Sequence, residues 1–159
     1  MSRPPNLHAT VVAIAGRGIL LRGPARSGKS ALALSLLRRA ELLGYAAALV
    51  ADDQVFLEVE GSAVHAVAPE AIRGLIEISG VGIVSEPSIP RVRLELVVDL
   101  VEAEGLERMP EEATTDIAGI ALRRILLPAR QAAWGADVLH TLMFPTGPRE
   151  QPGHIPKKP

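Results

Sequence analysis

The chain of 159 residues contains no cysteine, and aromatic residues make up only 3% of it. Without cysteine there is no disulfide framework, thiolate nucleophile or cysteine metal site, which fits a reducing, cytoplasmic location. Hydrophobic residues nevertheless make up 48% of the chain. The core must therefore be built from Leu, Val, Ile and Ala, as in buried α/β sheets.

Long apolar runs and a surplus of positive charge are also missing. The polar, proline-rich start and the break at residues 16–18 argue against a signal peptide or a membrane span, so we expect a soluble, unprocessed protein. The formal net charge is −1, with Lys and Arg scattered along the chain. This distribution gives no broad electrostatic footprint for nucleic acid, and we expect neither a nucleic-acid nor a membrane partner.

A complete phosphate-binding loop of the pattern G-x-x-x-x-G-K-[ST] is the most informative motif. Its glycines let backbone N–H groups surround phosphate oxygens, its lysine supplies a cation, and its final hydroxyl suits Mg²⁺. An apolar run over 18–22 precedes the loop, and a run of helix formers over 30–39 follows it. Strand, loop and helix together predict nucleotide binding by Gly23, Pro24, Ala25, Arg26, Ser27, Gly28, Lys29 and Ser30.

The segment before this loop predicts a β-hairpin, with an apolar strand over 7–14 that turns at 16–18 into the strand before the loop. Such a hairpin favours an α/β fold with a mixed sheet over a doubly wound parallel sheet. Residues 1–144 are predicted to form a single domain and the proline-rich residues 145–159 a disordered tail. We also expect strands over 46–51, 55–59, 63–67, 75–78, 91–101 and 117–127, an acidic surface loop over 102–116 and a closing helix over 131–144.

Acidic residues near the loop indicate whether the protein only binds a nucleotide or also catalyses a reaction with it. Asp52 and Asp53 end a predicted strand, at the sheet edge where ligands bind in open α/β folds. One can hold Mg²⁺ while the other accepts a hydroxyl proton, and the pattern alone leaves their order open. Glu77 lies in an apolar strand, where it either faces solvent by alternation or requires a cation. A lone histidine at a strand start, such as His8, is more typical of a structural role.

The sequence lacks the motifs of several familiar classes of nucleotide-dependent protein. There is no Asn-Lys-x-Asp motif for guanine, no arginine-rich lid insertion, and no His-Arg-Asp with Asp-Phe-Gly. These absences disfavour a regulatory GTPase, a nucleoside monophosphate kinase and a protein kinase of the common fold.

The ordered motifs resemble the HPr kinase/phosphorylase family, specifically its C-terminal catalytic domain. The resemblance rests on the hairpin from His8, residues 23–30, the Ala51-Asp52-Asp53 step and the segment from Glu77 to Ile83, and covers mainly the first half of the chain. It implies an ATP- and Mg²⁺-dependent protein-serine kinase acting on HPr, the phosphocarrier of a phosphotransferase system. It also implies a P-loop fold similar to the nucleotide domain of phosphoenolpyruvate carboxykinase, a cytoplasmic hexamer, and a short proteobacterial form without the family's N-terminal domain.

The resemblance also assigns the site. Residues 23–30 bind ATP, the base that takes the seryl proton is Asp52, and His8 and Lys29 assist it. The Mg²⁺ ligands implied are Ser30, Asp53 and Glu77.

Two residues depart from the family pattern. The family commonly has Arg where this chain has Ser79, and a small or apolar residue where it has Arg26, so we expect weak or absent phosphorylase activity. Arg130 is similar to a phosphate-contacting arginine of the family. A kinase for a small hydroxylated metabolite and a non-catalytic ATP sensor are the alternative functions.

Overall fold

The computed structural model describes residues 5–145, so the predicted tail lies outside the described residues beyond Pro145. Short 3₁₀ turns at Glu70–Ile72 and Ala103–Gly105 interrupt the connections. The strands and helices in chain order are β1 (Asn6–Leu7), β2 (Thr10–Ile14), β3 (Arg17–Arg22), α1 (Lys29–Leu42), β4 (Ala47–Ala51), β5 (Val55–Glu60), β6 (Ala63–Val67), β7 (Leu75–Ile78), β8 (Gly82–Ser85), β9 (Arg91–Val101), β10 (Ala113–Ile117), β11 (Ile120–Pro128) and α2 (Ala132–Met143).

The predicted hairpin before the phosphate loop is present. β2 and β3 pair antiparallel, with Thr10 opposite Leu21 and Ile14 opposite Arg17. On its other side β2 pairs antiparallel with β4, whereas β3 pairs parallel with β9. The prediction of an α/β fold with a mixed sheet and an upstream hairpin is therefore confirmed.

The long strand β9 organises the sheet. Its first residues pair antiparallel with β6, and its second half lies between the parallel strands β3 and β11. These three parallel strands end side by side at Arg22, Val101 and Pro128. The phosphate loop starts from this edge, which is where ligands bind in open α/β sheets.

Both helices cover one face of the sheet. The core there joins α1 and α2 to side chains from β2, β3, β4, β9 and β11, while a second core on the opposite face is closed by the β5–β6 hairpin. The helix formers after the loop place apolar side chains on one side at helical spacing, which is why α1 docks against the sheet. The apolar residues that α1 buries are Leu32, Ala33, Leu36, Leu37 and Ala40.

Three predicted boundaries are wrong. The strand expected over 7–14 is split into β1 and β2, and the acidic segment over 102–116 is only partly a loop because β10 begins at Ala113. The strand expected over 117–127 contains the turn between β10 and β11, with Ala118 and Gly119 both at positive φ. β10 was missed because it directly follows the acidic segment; it lies on the outer side of β11, and three of its five residues are exposed.

A two-stranded sheet of β7 and β8 stands apart from the main sheet. Gly80 and Gly82 lie in and beside the β7–β8 turn, both at positive φ. No helix within residues 5–145 is long and apolar enough to cross a membrane.

Gly18 lies where β3 and β9 approach each other closely. A Cβ at this position would lie 2.5 Å from the carbonyl oxygen of Arg93 and 2.8 Å from Val92. We expect Gly18→Ala to lower the free energy of unfolding by about 2 kcal/mol, because the paired strands must separate to admit a methyl group. Urea denaturation measures this change.

Gly105→Ala is the matched control, since a Cβ there meets no atom of the described residues within 4 Å. Equal stability of the two variants would show that the β3–β9 contact does not require glycine.

Candidate active site

The phosphate-binding loop connects the end of β3 to the start of α1. Gly28 has φ of 93°, a left-handed conformation that glycine adopts without strain, and Arg26 has φ of 65°. No side chain within residues 5–145 caps the first turn of α1, and that turn contains no acidic residue. The backbone N–H groups of the helix start are therefore available to an anion such as a nucleotide phosphate.

Lys29 lies folded over this loop. The residue is buried, and Nζ donates hydrogen bonds to the carbonyl oxygens of Gly23 at 2.8 Å and Pro24 at 3.3 Å. A Cβ on Gly23 would lie 2.5 Å from the hydroxyl of Ser27, so the loop closes tightly on itself. Loop, lysine and helix start together fit the phosphates of a nucleotide.

Asp52 is the most constrained carboxylate of the site. It is only 7% exposed. Its Oδ1 accepts hydrogen bonds from Thr10 Oγ1 at 2.9 Å and Ser30 Oγ at 2.8 Å, and its Oδ2 accepts one from the backbone N–H of Glu77 at 2.9 Å. One side chain thus connects β2, α1 and β7. Thr10 was not among the predicted site residues; a threonine at the start of an otherwise apolar strand was the signal for it.

Asp53 has the opposite environment. Its φ of 69° is in the left-handed region, which Asp tolerates better than most residues, and its side chain is 60% exposed. Its Oδ1 lies 3.0 Å from Nδ1 of His8, which is itself 57% exposed. The backbone turn between the two aspartates therefore places one carboxylate against the helix start and the other on the surface.

The residues at this edge also fit Mg²⁺. Within residues 5–145 no group of three or more His, Asp or Glu side chains gathers as an all-protein metal site. The hydroxyl of Ser30 and the carboxylate of Asp52 are hard oxygen donors in contact with each other. Mg²⁺ is commonly held by one or two such groups together with substrate phosphates and water. The side chain of Glu77 is exposed, as alternation allows, and its backbone reaches Asp52.

A network of ion pairs holds the end of β3, directly before the loop, against β9 and β11. Arg22, which directly precedes Gly23, donates to both oxygens of Asp99 at 2.8 Å, and Arg124 donates to the same carboxylate from β11. Burial raises the pKa of Asp99, but hydrogen bonds from Arg22 and Arg124 outweigh burial and hold the pKa below its ordinary value. Sequence reasoning missed this network because it depends on the register of three parallel strands.

Arg130 contacts the loop through its backbone. Its N–H donates to the carbonyl of Ser27 at 2.9 Å, and its φ is 59°. Its guanidinium binds both carboxylate oxygens of Glu102, at 2.6 and 2.9 Å. The predicted phosphate contact of Arg130 stays a prediction, and the side chain is exposed beside the loop.

Fold and site define a P-loop α/β protein with one buried carboxylate, that of Asp52, at the helix start. A family model described as the HPr Serine kinase C-terminal domain matches residues 1–145. The chain therefore belongs to the HPr serine kinase C-terminal domain family, in agreement with the predicted resemblance.

Individual relatives agree with this assignment. The chain is 36% identical over 133 residues to an HPr kinase/phosphorylase of Leptothrix cholodnii, and 32% identical over 133 residues to one of Bordetella avium. Each alignment covers 76% of this chain, which spans 39% and 41% of the two relatives. Among solved structures, the Hpr(Ser) kinase/phosphatase from Coxiella burnetii superposes with a TM-score of 0.72 at 28% identity, covering 87% of this chain and 93% of that one.

The Arg22–Asp99–Arg124 network predicts a pH-dependent contribution to stability. We expect Asp99→Asn to lower the free energy of unfolding at pH 7 by about 2 kcal/mol, because two partly buried guanidinium groups lose their carboxylate. Since the pKa of Asp99 is lowered in the folded state, this stabilisation is complete above the unfolded pKa of about 3.9 and is lost as pH falls through the folded value.

Urea denaturation of wild type and variant between neutral and acidic pH measures the effect. Glu60→Gln is the control, because Glu60, at the end of β5, forms an exposed ion pair with Arg91 of β9 and should change stability little. A difference between wild type and Asp99→Asn that persists unchanged in acid would contradict the assignment.

Proposed function

We propose that this chain is an ATP- and Mg²⁺-dependent protein-serine kinase that phosphorylates HPr. The observation that carries the proposal is the juxtaposition of Ser30 with Asp52 at the start of α1, with the exposed Asp53 and His8 beside them. The names of the family and of its relatives support HPr as the acceptor. The cofactors and the chemistry are inferred from the residues.

Binding of ATP falls to residues 23–30 in this proposal. Their N–H groups and the uncapped helix start orient the phosphates, and Lys29 exchanges its contacts with Gly23 and Pro24 for the terminal phosphates. Bound ATP supplies the γ-phosphoryl group and Mg²⁺ neutralises charge on the phosphates. Ser30 and Asp52 would hold the metal, and Glu77 would offer a further carboxylate at that edge.

We assign the base to Asp53 and the metal to Asp52, the reverse of the order that the family resemblance implied. Asp52 is buried, and its three hydrogen bonds hold it in place, so its carboxylate cannot reach a hydroxyl on another protein. Asp53 is exposed and contacts His8, so it can accept the seryl proton at Oδ1 or Oδ2 while His8 orients it.

The openness of this edge favours a protein as acceptor. Asp53 and His8 lie on the surface, more than half exposed, whereas kinases for small metabolites must enclose their substrates to exclude water. On the hairpin whose backbone reaches Asp52, Val81 and Ile83 are 71% and 69% exposed. An acceptor that brings its own surface can cover these apolar side chains and complete the site.

Incubation of the purified chain with labelled ATP, Mg²⁺ and HPr tests the proposal. We expect label on a serine of HPr and none with Lys29→Ala, whose loss of the loop cation weakens nucleotide binding. Transfer to a metabolite of a cell extract instead of HPr would support a small-molecule kinase. ATP binding without transfer to either acceptor would support a sensor.

The assignment of the base predicts different defects for the two aspartates. We expect Asp53→Asn to reduce phosphoryl transfer by about two orders of magnitude while ATP affinity stays close to wild type. Asp52→Asn should instead weaken binding of ATP in the presence of Mg²⁺ and have little effect in EDTA, as calorimetry can measure.

Asp116→Asn, at an exposed aspartate near the end of β10, is the control for both assays. Transfer at the wild-type rate by Asp53→Asn would remove Asp53 from the mechanism.

The same proposal includes a homo-oligomer, which the family resemblance implies is a hexamer. Sedimentation velocity measures the oligomeric state. Weak or absent phosphorylase activity is expected from Ser79 and Arg26, which replace the residues common in the family.

A further inference from the structure

A second concave site lies at the opposite end of α1 from the phosphate loop. It is a cleft of about 470 Å³ between the C-terminal ends of α1 and α2, here called the helix-end cleft, lined by Arg39, Leu43, Tyr45, Asp137, His140 and Phe144. Its volume is in the range of small-molecule sites. Because α1 has 14 residues, each rising about 1.5 Å, the cleft is roughly 20 Å from the loop.

Two polar atoms are buried in the wall of this cleft. The hydroxyl of Tyr45 and Nδ1 of His140 have no hydrogen-bond partner within residues 5–145. His140 is 6% exposed. Unpaired buried polar groups cost about 1–3 kcal/mol each, so two of them in one small site call for a physical explanation.

The hydrogen bond made by Nε2 of His140 determines whether its other ring nitrogen, Nδ1, is a donor or an acceptor. Nε2 lies 3.1 Å from the carbonyl oxygen of Leu36 on α1. A carbonyl only accepts, so Nε2 carries a proton and donates, and in the neutral ring Nδ1 presents a lone pair. A partner for Nδ1 must then be an O–H or N–H donor.

The charge of the cleft indicates an uncharged ligand. Its two ionic side chains, Arg39 and Asp137, pair with each other at 2.8 Å and cancel. Phe144 and Tyr45 offer aromatic surface, with ring centroids 4.6 Å apart, and Leu42 on the rim is 87% exposed. This surface suits a flat apolar ring and gives no reason to bind phosphate.

We propose that the helix-end cleft binds an uncharged small molecule with an aromatic ring and hydroxyl donors. The ring packs on Tyr45 in place of Phe144, and its hydroxyl groups donate to Nδ1 of His140 and bond the hydroxyl of Tyr45. Phe144 directly follows the last residue of α2, so turning its ring aside breaks its contacts with Tyr45, His140 and Arg17 but no turn of the helix. This site is separate from the nucleotide site and does not depend on the proposed kinase activity.

Resorcinol, which carries two hydroxyl groups on one ring, is the probe. Tyr45 is the single tyrosine of the chain, so the full chain labelled with ¹³C-tyrosine reports on the cleft through one residue. We expect resorcinol to shift the Tyr45 signals saturably, also in the presence of saturating ATP. 1,3-Dimethoxybenzene, which lacks donors, and phenyl phosphate, which is anionic, should bind at least about tenfold more weakly.

Two variants locate the binding. His140→Phe keeps a ring but removes Nδ1, and should weaken resorcinol about tenfold. Should that variant not fold, Thr141→Trp on the exposed side of α2 narrows the cleft and should abolish the shift, while Thr114→Trp on β10 is its matched control.

Three results would overturn the proposal. These are Tyr45 signals that do not respond to resorcinol, equal binding of 1,3-dimethoxybenzene or phenyl phosphate, and unchanged affinity in the cleft variants.

Discussion

The rest of the site depends on the hydrogen bonds that the carboxylate of Asp52 accepts. A charge that is almost fully withdrawn from water is tolerated only when donors surround it, and here a threonine from β2, a serine from α1 and a backbone amide from β7 do so. These elements belong to two different sheets and a helix. The separate β7–β8 hairpin is thereby tied to the start of α1, although it shares no ladder with the main sheet.

This constraint also explains the contrast between neighbouring aspartates. With Asp52 held inward, the left-handed turn at Asp53 directs the next carboxylate to the surface, where His8 meets it. One dipeptide therefore supplies one buried and one accessible carboxylate. Strain at the turn is offset by the hydrogen bonds of the surrounding chain, as is common at functional sites.

Local sequence patterns predicted much of the fold, but they could not predict which distant strands pair with each other in the sheet. The loop over 23–30, the upstream hairpin and α2 follow from short-range spacing that phosphate binding and helices require. Which of the two aspartates is buried depends on the backbone conformation at Asp53, and the partners Arg22 and Asp99 are 77 residues apart. The strand β10 was missed because it is a polar edge strand, with Thr114, Thr115 and Asp116, that directly follows an acidic segment.

The parallel arrangement of β3, β9 and β11 has a consequence for how the nucleotide site is assembled. The ribosome synthesises the loop early. The residues that hold the loop and the strand before it in place are made much later, and they are Asp99, Arg124 and Arg130. Hairpins such as β2–β3 can form at once, whereas parallel pairing over such separations is slow. A nascent chain therefore carries the phosphate-loop motif long before the strands and contacts that hold the loop in place have formed.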